Sequence, residues 1–217
     1  MNRATKLMDM YEAMQKELGP SEWWPGDSVL EIMLGAVLTQ NTAWSNVEKA
    51  IANLRGANAL NLETLNSLSL EELARLIYPA GFFRVKARRI GNLLAWIKNF
   101  CHNDLSALKD YDTHVLREEL LAINGIGPET ADSILLYAFD RPSFVVDEYT
   151  RRIFSRHALV TEDADYAELR DFFMDVLPED SRLFNEYHAS LVRVAKNWCK
   201  RSKANCETCP LSTFLPE

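Results

Sequence analysis

The chain has 217 residues, of which 47% are hydrophobic and 25% are charged, so it carries enough apolar side chains for a globular core. This composition excludes a disordered chain, a collagen-like chain and a coiled-coil array. The formal net charge of −7 argues against a nucleic-acid partner, because proteins that bind DNA normally carry a basic surface. No apolar run approaches the roughly 18 residues of a membrane span, so we expect a cytoplasmic protein without a membrane partner.

Apolar residues recur at helical spacing along almost the whole chain, as in Leu30, Leu34, Val37 and Leu38. No stretch keeps the period of two that a half-buried strand requires. Short polar stops separate the periodic segments, among them a capping box from Ser69 to Glu72. The pattern therefore predicts an all-α protein of roughly ten helices joined by short links.

A glycine-containing turn lies between two helical segments near residue 125. Gly125 and Gly127 permit positive φ angles and carry no Cβ that would hold a ligand away, and Pro128 suits the first turn of the next helix. The N–H groups of such a turn favour an anion. A tight connector between two antiparallel helices is the alternative interpretation. Three apolar residues are placed to pack the two helices together: Leu120, Ile123 and Ile126.

Asp147 follows the apolar run Phe144–Val146 directly, at the predicted start of a helix. Aspartate is common at this position as an N-cap, which is one interpretation. The other is a partly buried carboxylate, held ionised by helix N–H groups, that stabilises positive charge on a sugar or activates water.

Basic residues are clustered although the chain is acidic. Residues 84–89 contain four cations and no acid, and residues 193–203 are free of Asp and Glu. Most charge runs are only solvated faces, which is one interpretation. The other is one basic surface on an otherwise acidic protein, which would reverse the conclusion from the net charge. Binding of an anionic polymer to such a surface should weaken steeply with added salt.

The hairpin Gly125–Gly127, the pair Val146-Asp147 and three cysteines near the C-terminus together resemble the endonuclease III branch of the helix-hairpin-helix DNA glycosylases. The resemblance covers residues 22–209 and implies a two-domain all-α glycosylase architecture with a DNA-binding cleft between the domains. It places residues 26–130 in one domain, which ends in the helix-hairpin-helix at about 112–138. Residues 1–25 and 131–217 form the other domain, which contains a cysteine loop at 199–209.

The resemblance also implies roles for individual residues. Asp147 is the expected catalytic carboxylate, Gln40 is expected to fill the space beside a flipped base, and Phe82 to intercalate. The alternatives are a helix-cap region around Gln40 and a core contact for Phe82. Further DNA contacts are expected from the hairpin and the first basic cluster: Gly125, Ile126, Gly127, Thr130, Arg84 and Lys86.

Glu129 stands where the family members that also cut the DNA backbone have a lysine, two residues after the second glycine. That lysine forms a Schiff base with the sugar, and a carboxylate cannot form an imine. The resemblance therefore predicts a monofunctional glycosylase without β-lyase activity. Lys86 and Lys196 remain as other amines that could serve.

An aromatic segment resembles the 3-methyladenine glycosylase subgroup, in which aromatic residues sandwich the extruded base. The residues that carry this resemblance are Trp23, Trp24, Pro25 and Trp44. N-methylated purines are cationic, and a cation on an indole gains about 0.5–2 kcal/mol. The alternative is that the indoles seal the core against the N-terminal helix.

Cys199, Cys206 and Cys209 match the first three positions of the family's iron–sulfur loop, whereas Leu215 stands at the fourth. The resemblance implies a [4Fe-4S] cluster that keeps three cysteines and takes an unusual fourth ligand. Zinc would also need a fourth ligand. A loop that has lost its cluster and keeps the thiols is the alternative.

These features predict a monomeric base-excision-repair glycosylase that flips out and removes alkylated purines of the 3-methyladenine type from double-stranded DNA. Two other functions stay open. One is an endonuclease III-like glycosylase and lyase for oxidised pyrimidines, and the other is a helix-hairpin-helix module without catalysis.

Overall fold

The computed structural model describes residues 2–21 and 26–216, and regular secondary structure in that part of the chain is helical. Beyond the helices it shows one isolated antiparallel bridge, between Cys199 and Ala204. The predicted all-α fold is therefore confirmed. Among the described residues, no helix combines the length and the apolar character needed to cross a bilayer.

Eleven α-helices lie in the described residues: α1 (Arg3–Leu18), α2 (Val29–Leu38), α3 (Trp44–Gly56), α4 (Leu62–Ser67), α5 (Leu70–Leu76), α6 (Phe83–Cys101), α7 (Thr113–Ala122), α8 (Pro128–Ser133), α9 (Glu148–Arg156), α10 (Tyr166–Met174) and α11 (Ser181–Asn197). Short 3-10 turns at Tyr78–Ala80, Leu105–Asp110 and Ser212–Phe214 supplement them.

The chain forms two compact units. The central unit comprises residues 24–139, and the terminal unit combines residues 1–23 with 140–217. The central unit extends to Phe139 because α8 continues through a π-helical turn at Ile134–Ala138.

Local polar contacts mark the starts of several helices. The predicted capping box is confirmed at α5, where Ser69 Oγ accepts from the N–H of Glu72 and the Glu72 carboxylate accepts from the N–H of Ser69. A second capping box, Asp165 with Glu168, begins α10. Each cap satisfies N–H groups that the first turn of a helix leaves without intrahelical partners.

Helix α2 lies at the centre of the central unit. It is apolar except for Glu31, and eight of its ten residues are buried, as expected for a helix surrounded by others. The three apolar hairpin residues also belong to this core: Leu120, Ile123 and Ile126. Because α2 ends inside the unit, the loop that follows it at residues 39–43 is held close to the hairpin.

Aromatic side chains fill the terminal unit. Phe144 stacks on Phe173 with ring centroids 4.1 Å apart, and the buried Tyr187 hydroxyl donates to the carbonyl of Leu7 at 2.8 Å. The buried segment 143–146 leads from this cluster directly into α9. That packing fixes the position of Asp147, the residue immediately before the helix.

Candidate active site and DNA-contacting loops

The hairpin joins α7 to α8. Gly125 has a φ of +97°, and a Cβ at this position would lie 2.4 Å from Cγ of Arg89, so the turn requires glycine. Gly127 instead has a φ of −92° and a ψ of 177°, an extended conformation that any residue adopts. The positive φ predicted for Gly127 is therefore wrong. A Cβ on Gly127 would meet nothing within 4 Å, which leaves this side of the hairpin open.

A buried ion pair links the two helices of the hairpin. Arg117 of α7 donates from Nε and Nη2 to the two carboxylate oxygens of Asp132 at 2.7 and 3.0 Å. Asp132 is completely buried, so this bidentate contact lies in a water-poor environment. The sequence did not indicate this pair, because neither residue stands in a recognisable motif.

Two hairpin residues among the predicted DNA contacts have their side chains in the interior. Ile126 is 4% exposed and packs in the core, and Thr130 is 6% exposed. Burial of these side chains leaves the N–H groups of the turn, on which the prediction of a DNA contact rests. Any contact of Ile126 with a phosphate would have to come from the backbone of the turn.

Gln40 is bound through both ends of its amide, to the hairpin through its nitrogen and to α6 through its oxygen. Its Nε2 donates to the carbonyl of Gly125 at 3.0 Å and to Oγ1 of Thr130 at 2.9 Å. Its Oε1 accepts from Nη1 of Arg89 at 2.5 Å. Arg89 was not assigned a role from the sequence, although it lies in the basic cluster of residues 84–89.

Lys86 is buried, contrary to the DNA contact predicted for it. Its ammonium donates to the carbonyls of Leu38 and Ala80 at 2.8 Å and to Oγ1 of Thr42 at 2.6 Å. Burial and the neighbouring Arg89 lower the pKa of Lys86 to about 8. The residue anchors the 39–43 loop from inside the protein, and with 1% exposure its amine is closed to a DNA sugar.

Phe82 is 72% exposed and immediately precedes α6, which excludes the alternative of a core contact. Its φ of +45° is unusual for a residue with a side chain and carries a cost of about 1–3 kcal/mol. Arg84, in the first turn of α6, is exposed too and lies 3.8 Å from a carboxylate oxygen of Glu71. The loop thus presents an apolar side chain with a cation beside it.

Trp44 begins α3 and lines a cavity of about 240 Å³ in the central unit. Three carboxylates share this wall, from Asp27, Glu31 and Glu48. Arg55 contacts two of them, Asp27 at 2.8 Å and Glu31 at 2.9 Å. One guanidinium against three carboxylates leaves the wall with a net negative charge. The other predicted base-pocket residues lie outside the described part of the chain: Trp23, Trp24 and Pro25.

Asp147 caps α9 and keeps one carboxylate oxygen beside a histidine. Oδ1 accepts from the N–H of Thr150 at 2.8 Å and from its hydroxyl at 3.0 Å, while Oδ2 lies 3.5 Å from Nε2 of His188. Burial by itself raises the pKa of Asp147, but His188 and then Thr150 outweigh it, so the pKa lies below its ordinary value. The carboxylate is therefore ionised at neutral pH. With 15% of its side chain exposed, it retains access to a ligand.

His188 stands in no motif of the sequence that indicated a functional role. It lies on α11 next to the core residues Tyr187 and Leu191, and its side chain is 6% exposed. The apolar spacing of α11 does place position 188 on the buried face. A buried histidine on such a face needs a polar partner, which was the available signal.

Glu129 lies exposed in the first turn of α8. A carboxylate near a helix N-terminus is favourable for helix stability, so its place in the fold needs no catalytic explanation. It supplies no amine to the hairpin.

The cysteine loop is held by arginines of α9. Arg156 donates to Sγ of Cys199 at 3.2 Å, and burial, followed by the nearby thiols Cys199 and Cys206, raises the pKa of Cys209. In residues 2–21 and 26–216, no three His, Cys, Asp or Glu side chains are grouped as a metal site. Leu215 offers no donor at the fourth position, so the residues do not fit a four-thiolate cluster, and a cluster held by three cysteines and another fourth ligand stays a prediction.

A family model described as HhH-GPD superfamily base excision DNA repair protein matches residues 34–179. The chain belongs to this superfamily. A candidate DNA repair glycosylase of Methanocaldococcus jannaschii is 44% identical over 214 residues, which is 98% of this chain and 97% of that protein.

Solved structures agree with this membership. The H. pylori 3-methyladenine DNA glycosylase bound to 1,N6-ethenoadenine matches with a TM-score of 0.75 and 29% identity, covering 90% of this chain and 98% of its own. A non-covalent endonuclease III–DNA complex matches with a TM-score of 0.84 and 22% identity, covering 100% and 97%. The protein is thus an enzyme of the DNA glycosylase family that binds DNA, with the endonuclease III fold.

Proposed function

We propose that this protein is a monofunctional glycosylase that removes alkylated purines of the 3-methyladenine type from double-stranded DNA and acts as a monomer. The observation that carries the substrate assignment is the cavity beside Trp44, where an indole adjoins a wall of net negative charge. The 29% identity to the H. pylori 3-methyladenine glycosylase supports the same assignment.

Charge explains why this cavity would favour an alkylated base. A purine methylated at N3 or N7 carries a positive charge, and a cation over an indole gains about 0.5–2 kcal/mol. The carboxylates of Asp27, Glu31 and Glu48 add attraction that a neutral base does not receive. The cavity would therefore select the damaged base by its charge.

Asp147 is the proposed catalytic residue. A cationic purine leaves as a neutral molecule when the bond from its nitrogen to C1′ of the sugar breaks, so little acid catalysis is needed. The ionised carboxylate would stabilise the positive charge that develops on the sugar. It would then accept a proton from the water that adds to C1′. Because Glu129 stands where a lyase would have its lysine, no Schiff base forms with the sugar, and the DNA strand is not cut at the abasic site.

Gln40 and Phe82 are the residues that we propose to enter the duplex. An enzyme that extrudes a nucleotide must offset lost stacking, which an inserted apolar side chain does. The 72% exposure of Phe82 supports this role. The amide of Gln40 would then occupy the space that the extruded nucleotide leaves.

The proposed function is tested with four duplexes, carrying 3-methyladenine, 1,N6-ethenoadenine, thymine glycol, or thymine opposite guanine. Free base is measured by chromatography, and strand breaks are counted before and after alkali. We expect release of 3-methyladenine, with breaks that appear after alkali treatment. Breaks before alkali would contradict the monofunctional assignment, and release confined to thymine or thymine glycol would contradict the purine assignment. DNA binding without base release would identify a non-catalytic module.

Glu48→Gln is expected to lower release of 3-methyladenine by about threefold to tenfold while leaving release of neutral 1,N6-ethenoadenine unchanged. The amide keeps the shape of the side chain but removes one negative charge from the cavity wall, weakening attraction for a cation. The measurement is the ratio of single-turnover rates on the two duplexes. Glu63→Gln is the matched control, since Glu63 is exposed on α4 and does not line the cavity. An unchanged ratio in Glu48→Gln would contradict charge selection.

His188→Leu is expected to move the acid limb of the pH–rate profile to higher pH. His188 helps to hold the pKa of Asp147 below its ordinary value, so the active ionised form is lost as pH falls through that low pKa. Without His188, burial dominates and raises the pKa, and the loss of activity begins at a higher pH. Single-turnover rates from neutral to acidic pH, corrected for spontaneous depurination, measure the shift. An unmoved acid limb would show that His188 does not tune Asp147.

A further inference from the structure

Both donor hydrogens of Gln40 are engaged with the hairpin, and its acceptor is engaged with α6. The amide nitrogen donates to Gly125 and Thr130, and the amide oxygen accepts from Arg89. A side chain bound in this way cannot donate to an estranged base at the same time. Entry of Gln40 into a duplex therefore requires these hydrogen bonds to break.

The surrounding backbone keeps the loop in place while the side chain moves. Lys86 binds the carbonyl of Leu38 on one side of Gln40 and the hydroxyl of Thr42 on the other. Arg89 follows Lys86 by one turn of α6, the helix that begins next to Phe82. Two residues of α6 thus hold the segment around Gln40. Lys86 binds the residues on either side of it, and Arg89 binds the Gln40 side chain itself.

Arg89 also lies in the wall of a groove that contains a second arginine. Together with Arg88, Asn124 and Gly125 it lines this open groove of about 580 Å³. The amide oxygen of Gln40 is a neutral acceptor for Arg89, whereas a phosphate offers the guanidinium an opposite charge and two oxygens that it can bind at once. A phosphate in this groove would therefore outcompete the Gln40 amide for Arg89.

We propose that Arg89 and Thr130 are positioning residues that hold Gln40 back against the hairpin until a backbone phosphate reaches Arg89. The inference rests on the proposed entry of Gln40 into the duplex. The proposal links two events. When Arg89 binds a phosphate of the DNA backbone in the groove beside the hairpin, the Gln40 side chain is released and can fill the space that the extruded nucleotide leaves. The proposal also assigns a function to Thr130 that agrees with its burial.

The test uses a duplex that needs no knowledge of the true lesion. It carries a tetrahydrofuran abasic analogue opposite 2-aminopurine, whose fluorescence changes when a side chain enters beside it. Stopped-flow mixing measures the rate of that change for the wild type, Gln40→Ala, Thr130→Val and Arg89→Lys. Ser133→Ala is the matched control, because Ser133 is a buried hydroxyl of the same helix that donates to the Glu129 carbonyl instead.

Thr130→Val keeps the shape of the side chain and removes the hydroxyl that accepts a hydrogen bond from the Gln40 amide nitrogen. We expect the insertion phase to become about twofold to tenfold faster, the effect of one ordinary hydrogen bond. Arg89→Lys keeps the charge, weakens the contact to Oε1 and should accelerate the same phase. Ser133→Ala should leave the rate unchanged.

Three results overturn the proposal in different ways. If Gln40→Ala gives the wild-type trace, Gln40 does not enter the duplex and the premise fails. If Gln40→Ala removes the phase but Thr130→Val and Arg89→Lys are unchanged or slower, these residues do not restrain Gln40. If Ser133→Ala accelerates the insertion phase as much as Thr130→Val does, the faster insertion comes from a less stable α8 and not from the lost hydrogen bond to Gln40. A thermal melting curve of each variant checks that it is folded under the conditions of the assay.

Discussion

Asp147→Asn is expected to reduce base release by roughly 10²- to 10⁴-fold, the usual contribution of a positioned acid or base. Asparagine has nearly the same shape but carries no charge to stabilise the sugar cation and accepts no proton from water. It can still accept the N–H of Thr150 through its carbonyl, so the start of α9 is preserved. The measurement is the single-turnover rate of 3-methyladenine release with enzyme in excess.

Glu148→Gln is the control for this change. Glu148 is the next residue and is exposed, and its carboxylate contacts Arg151. Its replacement should alter base release by less than about threefold, since an exposed ion pair contributes little. Both variants should bind a duplex with an abasic analogue as tightly as the wild type does. Activity retained in Asp147→Asn, or lost equally in Glu148→Gln, would contradict the assignment of Asp147.

Arg117→Leu is expected to destabilise the protein by about 3–5 kcal/mol, the largest stability effect that we predict for one substitution. The change removes the bidentate guanidinium from Asp132, a carboxylate with no exposed surface. A buried charge that loses its ion-pair partner costs far more than the pair itself contributes. The free energy of unfolding, measured by urea denaturation, checks the value.

An exposed pair on the same helix provides the comparison. His114 and Glu118 of α7 lie 3.4 Å apart with most of both side chains in solvent, so His114→Ala should cost less than about 1 kcal/mol. The double variant Arg117→Leu with Asp132→Leu should recover most of the lost stability, because no buried charge remains. If Arg117→Leu and His114→Ala cost the same, the ion pair does not hold the hairpin together.

Local features of the chain were predictable because neighbouring residues determine them. The capping box at Ser69, the proline that begins α8 and the apolar hairpin residues depend on contacts within a few positions. The requirement for glycine at 125 was predictable for the same reason. At Gly127 the local rule failed, since the backbone there is extended.

Lys86 shows how a local pattern can mislead. It stands among three exposed or half-exposed arginines, and that composition predicted a surface cation. The rotation of α6 instead places it on the buried side with Ile90 and Ile97, where three oxygens accept from its ammonium. Helical spacing from these two isoleucines would have indicated the buried position, but not the oxygens that meet it.

The sequence by itself determined the helical fold class, the requirement for glycine at residue 125, the carboxylate at the start of α9 and the absence of an amine at residue 129. These properties follow from periodicity, capping and side-chain chemistry, which act over short stretches of chain. Tertiary structure alone decided that His188 would meet Asp147, that Arg89 and Thr130 would hold Gln40, and that Arg117 would pair with Asp132. Such contacts join residues from different helices, so they depend on how the helices pack and not on the order of residues within any one of them.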